Sequence, residues 1–198
     1  GNYTVTTSAA PTADITPRGL TAGGISAASK VYDGTTAATL DTAAGRLTSG
    51  VQGADDVSLV ATAATGSFAS KNVGVAKAVT VSGLALGGAD AGNYTIGDAA
   101  AFADITAKAL TASGIVAANK VYDGTRMASV DAGAAVLAGV VMGDTVGIDA
   151  SGVTGSFANK QAGSAKAVTI AGLGLTGADA GNYTVTTSAA PTADITPR

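Results

Sequence analysis

Two sets of residues in this chain have the types and spacing to do chemistry. The first is the phrase Lys-Val-Tyr-Asp-Gly-Thr, at residues 30–35 and again at 120–125. It joins a cation, an aromatic hydroxyl and a carboxylate ahead of a glycine: Lys30, Tyr32, Asp33 and Gly34, then Lys120, Tyr122, Asp123 and Gly124. The second is Asp-Ala-Gly-Asn-Tyr-Thr, which carries Asp90 and Tyr94 in one copy and Asp179 and Tyr183 in the other. Catalysis would need more than this. The chain has no histidine and no cysteine, which removes the commonest general base, thiol nucleophiles, disulfides and Cys/His zinc sites. No convergent acid pair takes their place, so no catalytic residue is assigned and the chain is read as non-enzymatic.

The aspartates Asp55, Asp56, Asp90, Asp144 and Asp179 raise the question of calcium. That ion takes about six to eight oxygen ligands, and the sequence has neither an EF-hand loop nor a nonapeptide Gly-Asp repeat. No metal and no other cofactor is expected. The glycine-rich stretch 83–92 lacks the spacing and the lysine of a phosphate loop. Lys71 beside Asn72 invites an internal Lys–Asn crosslink, which requires apolar burial that sequence does not reveal. Two readings of the Tyr-Asp-Gly phrase stay open. In one, Asp33-Gly34 and Asp123-Gly124 form turns with Tyr32 and Tyr122 packed behind them; in the other, tyrosine and lysine form an exposed patch that stacks on sugar rings.

The elements that must position these residues come in duplicate. Residues 65–95 and 154–184 are near-copies, and the repeat period is about 90 residues. Residues 1–18 and 181–198 are identical. A unit of this length is too long for one coil of a solenoid and falls within the size of a single domain. The chain therefore divides into the tail of a preceding repeat (1–17), a first module (18–106), and a second module with its junction (107–198). All four prolines, Pro11, Pro17, Pro191 and Pro197, lie near these junctions, which reads as short, semi-rigid linkers.

Aromatic residues make up only 4% of the chain and alanine inflates its apolar share, so the few bulky side chains must anchor a thin core. Phe102 stands apart, replacing a junction threonine. Net charge is −3 with no basic run, which argues against nucleic-acid binding. No apolar run approaches the length of a membrane span. Short β-branched alternations, as in Val79-Thr80-Val81 and Val168-Thr169-Ile170, recur between turn residues and predict an all-β fold. The alanine-rich stretches 37–44 and 128–136 are read as strand and loop. The Asp-Ala-Gly-Asn-Tyr phrase resembles the tyrosine corner of immunoglobulin-like sandwiches, where the hydroxyl bonds backbone and the aspartate steadies the turn. Tandem immunoglobulin-like β-sandwich modules are the expected architecture, with β-grasp-like modules as the alternative.

Taken with the Ala-Asp-Ile-Thr junctions, the Thr-Gly-Ser-Phe-Ala phrase and the Asp-Ala-Gly-Asn-Tyr-Thr phrase, the repeated Lys-Val-Tyr-Asp-Gly-Thr resembles the YDG-type repeats of two-partner-secreted, filamentous-haemagglutinin-like bacterial adhesins. The resemblance covers essentially the whole chain. It implies an extracellular stalk at the bacterial cell surface that projects a binding tip for cell–cell or biofilm adhesion, with neighbouring repeats of the same chain as partners. The alternative is a repeated module that binds extracellular polysaccharide or matrix weakly and gains avidity by repetition.

Overall fold

A computed structural model describes residues 1–4 and 10–198; residues 5–9, inside the leading segment 1–17, lie outside the described residues. The chain is all-β. Short strands alternate with turns, two single-turn 3-10 helices occur at Ala91–Asn93 and Ala180–Asn182, and no α-helix is present among the described residues. Accordingly, no helix there is long and apolar enough to cross a membrane. The alternation seen in the sequence sets the faces: Val79 and Val81 are fully buried while Thr80 between them is exposed. The alanine-rich stretch 37–44 is short strands, Ala37–Ala38 and Leu40–Asp41, followed by a turn. Threonine and aspartate interrupt it before a helical turn can propagate.

The strands fall into two compact units, each drawn from separated stretches of sequence. The first contains Gly1–Ala27, Thr39–Ser67 and Val79–Ala101. In it, strand Arg18–Gly23 lies parallel to Tyr94–Ile96 and antiparallel to Arg46–Ser49, with a register shift between Thr21 and Ala22. Ser58–Val60 pairs with Ala85–Gly87, and Ser26–Ala27 with Leu40–Asp41. Leu20, Ile25, Val79, Val81 and Tyr94 are its main buried side chains.

The second unit contains Ala28–Ala38, Phe68–Ala78 and Phe102–Arg198. Three stretches of the first sequence module, residues 28–38, 68–78 and 102–106, thus belong to it. Its five-stranded sheet runs Lys120–Val121, Thr192–Thr196, Gly163–Ala171, Thr154–Phe157, Met127–Ala128. The first pair is parallel and the others are antiparallel. Beneath it Phe157, Val168, Ala193 and Ile195 form a buried cluster, with Tyr122 partly buried against it. A three-stranded sheet places Lys108–Ser113 parallel to Tyr183–Thr187 in a five-residue register and antiparallel to Val136–Ala138. The same unit holds Lys30–Val31 parallel to Ile105 and Thr106, the register that Lys120–Val121 makes with Ile195 and Thr196.

Candidate functional site

The Tyr-Asp-Gly phrase closes on itself. Asp33 Oδ1 accepts the Thr35 backbone N–H at 2.8 Å and the Thr35 hydroxyl at 2.9 Å, an aspartate-capped turn. Lys30 Nζ donates to the same oxygen at 2.8 Å, to the Thr35 carbonyl at 2.9 Å and to the Thr35 hydroxyl at 3.0 Å. Lys120, Asp123 and Thr125 repeat this network. Each lysine also sits over a buried phenylalanine, Lys30 at 5.6 Å from the Phe68 centroid and Lys120 at 5.7 Å from Phe157. Partial burial would push the Asp33 carboxyl up, but Lys30 and the Thr35 donors outweigh it and hold it at about 2. The Lys120 ammonium and the Thr125 donors likewise hold Asp123 at about 2. The lysine and aspartate of the phrase are therefore spent on the turn, and only the tyrosine ring points elsewhere.

That ring enters a polar cluster inside the second unit. Tyr32 is 1% exposed, and its hydroxyl donates to Asp144 Oδ2 at 2.7 Å. The Tyr183 hydroxyl donates to the same oxygen at 2.6 Å and accepts the Val141 N–H at 3.0 Å. The two rings meet edge to face, with centroids 5.3 Å apart. Lys71 Nζ donates to Asp144 Oδ1 at 2.8 Å, lies 3.3 Å from Asp179 Oδ1, and stands 5.8 Å from the Tyr32 centroid. Asp179 Oδ2 accepts the Thr145 N–H at 2.9 Å, and Asn182 Oδ1 accepts the Val73 N–H at 3.0 Å.

The electrostatics follow from these bonds. Lys71, then the Tyr183 and Tyr32 hydroxyls, hold the Asp144 carboxyl at about 2. Asp144 in turn raises Lys71. Burial and the Asp144 carboxylate push the Tyr183 hydroxyl up to about 12 and raise Tyr32 as well. A carboxylate this acidic is a poor base, and phenols this reluctant to ionise are poor nucleophiles. The cluster is suited to latching chain segments together, because three donors converge on one carboxylate whose side chain is only 3% exposed.

Half of this arrangement recurs in the first unit. The Tyr94 hydroxyl donates to Asp55 Oδ2 at 2.6 Å and accepts the Gln52 N–H at 3.0 Å, while Asp90 Oδ2 accepts the Asp56 N–H at 2.9 Å. In both copies the tyrosine hydroxyl does bond backbone, but on a loop 42 residues earlier in the chain. The aspartate, read from sequence as steadying its own turn, reaches instead across to that same loop, and makes no side-chain cap on the 3-10 turn that follows it.

Sequence reasoning did not join Lys71 to Asp144, since they lie 73 residues apart and in different modules. The available signal was that both recur, as Lys160 and Asp55, in a chain with few charges. Among the described residues no group of three or more acidic side chains could hold a metal ion. A shallow concavity between residues 132–140 and 146–150 is lined by Ala, Val, Leu, Ile and Gly alone. It offers neither an aromatic platform nor a charge to a sugar.

A family model described as the YDG domain matches the chain twice, over residues 16–101 and 106–192. No curated protein and no solved structure matches it.

Proposed function

The chain belongs to the YDG-domain family, as two tandem copies, and from this we propose that it serves as stalk repeats of a large secreted bacterial surface adhesin. On this reading the repeats are extracellular, catalyse nothing, and project a binding tip for cell–cell or biofilm adhesion. The observation that carries it is the fate of the residues best able to recognise a ligand. Tyr32, Tyr94 and Tyr183 are buried, with their hydroxyls committed to aspartates. Lys30, Asp33, Lys120 and Asp123 are consumed within their own turns. A side chain whose hydrogen bonds are already made inside the protein gains little from a ligand.

Each module is proposed to be an immunoglobulin-like sandwich. In its favour are the antiparallel run through Thr154–Phe157, Gly163–Ala171 and Thr192–Thr196 and the parallel placing of the short strand Lys120–Val121 beside the closing one. A β-grasp-like module is the alternative.

The rival function, weak binding of polysaccharide or matrix by each repeat, draws on the exposed aromatics: Phe102 is 66% exposed and Tyr3 99%, and an exposed ring can stack on a sugar. The two readings separate in a screen of the intact chain against glycan and matrix-polysaccharide arrays. No retention above a control protein is expected. Binding that disappears in Phe102→Thr would replace the stalk reading with the avidity one.

A further inference from the structure

The second unit shows how one stretch of the repeat receives another. Tyr32, Lys71 and the Val73 N–H, all from the first sequence repeat, are seated on Asp144, Asp179, Tyr183 and Asn182 of the second. Every one of these residues has a counterpart in the other copy. Tyr122, Lys160 and Ala162 correspond to the seated group, and Asp55, Asp90, Tyr94 and Asn93 to the receiving group.

The counterparts are open where the joined residues are covered. Asn182 is buried and Asn93 exposed; Asp144 is shielded and Asp55 exposed; Tyr32 is buried and Tyr122 only partly so; Lys71 is half-buried and Lys160 exposed. The glycine of the turn reports the same difference. A Cβ on Gly34 would meet Val141 Cγ1 at 2.8 Å, whereas a Cβ on Gly124 would meet nothing within 4 Å.

We infer that each copy of the repeat carries two complementary faces, and that Tyr122 and Lys160 of this chain dock head to tail onto the Asp55, Asp90 and Tyr94 face of a further copy of the same repeat. The receiving face is already built without an occupant. Its Tyr–Asp bond of 2.6 Å, its loop N–H to tyrosine bond of 3.0 Å and its aspartate to loop N–H bond of 2.9 Å reproduce those of the occupied face. Preorganisation of this kind removes much of the ordering cost of docking. Charge is complementary too, one ammonium facing two carboxylates. The two faces differ, so the contact is heterologous and does not close: each docking leaves one face of each kind free. Chain connectivity supplies a high effective concentration, so a joint that is weak between separate molecules holds within an array. Gln161 and Ala162 replace Asn72 and Val73: Ala162 retains the backbone N–H that Asn182 Oδ1 accepts at position 73, and Gln161 retains a side-chain amide oxygen in place of Asn72 Oδ1, which accepts from Asn182 Nδ2 at 3.4 Å. The same geometry serves a stalk and a glycan-binding array alike.

Amide hydrogen exchange tests it. Residues 1–18 and 181–198 are identical, so a copy of residues 19–106 appended after Arg198 meets its native preceding sequence. In the 198-residue chain the Ala162 amide should exchange faster than that of Val73. In the extended chain its protection should rise by at least about tenfold, toward that of Val73. When the appended copy carries Asp55→Ala and Asn93→Ala, both at exposed positions, the gain should vanish while that copy's Val79 and Val81 amides stay protected, showing that it has folded. Unchanged Ala162 protection in the extended chain would overturn the inference. So would a gain that survives the double substitution.

Discussion

Asp144 is the residue through which the polar interior of the second unit is organised, since Lys71, Tyr32 and Tyr183 all donate to its two oxygens. Its folded-state value of about 2 lies below the ordinary 3.8. The stabilisation it brings is therefore complete above about pH 4 and is lost as pH falls toward 2. Asp144→Asn should melt well below the parent near neutral pH, and the gap should close steadily over that acid window. A gap that is constant with pH would show that the carboxylate charge is not what holds the cluster. Tyr183 gives a second test at this scale. Tyr183→Phe keeps the ring but loses the bond to Asp144 and leaves the Val141 N–H unpaired, at a cost of about 1–2 kcal/mol. Tyr183→Ala also opens a cavity in a thin core and should cost about 3–5 kcal/mol. Denaturant melts that fail to separate the two would place the ring outside the core. The importance of Tyr183 was readable from its repetition in a chain poor in aromatics. Its partner was not, because a hydrogen bond between residues 39 apart leaves no local periodicity to read.

Among the elements, the two Tyr-Asp-Gly turns form an internal experiment. Gly34 and Gly124 have φ of +81° and +80°, so alanine at either pays the same left-handed strain, roughly 1–2 kcal/mol. Only at position 34 must the new methyl also displace Val141, an overpacking cost of about 1–3 kcal/mol. Gly34→Ala should thus be the more destabilising in equilibrium unfolding, and equal losses would mean that the turn does not press on the Val141 loop in solution. The Asp-Gly turn was legible because its chemistry is local: carboxylate, glycine and threonine lie within three residues. Short strands were legible for the same reason, as in the buried-exposed-buried run at Val79, Thr80 and Val81. What each strand pairs with was not. The parallel pairing of Lys108–Ser113 with Tyr183–Thr187 joins residues some 75 apart, and nothing in either stretch selects parallel over antiparallel.

For the whole molecule, the repeat of about 90 residues was evident from phrases such as Asp-Ala-Gly-Asn-Tyr-Thr, and the YDG-domain match over residues 16–101 and 106–192 agrees with that period. Repetition alone did not reveal that residues 28–38 and 68–78 belong to the second compact unit, because copies of one sequence carry no mark of which copy they touch. On the proposed function these repeats connect and present without binding anything themselves. The most direct measurement anchors arrays of one, two and four copies of this chain to a cell surface, each ending in a module of known ligand, and counts cells retained on a ligand-coated surface against arrays lacking that tip. Retention should depend wholly on the tip and rise with the number of copies. Equal retention at every array length, or adhesion by arrays with no tip, would contradict the proposed function.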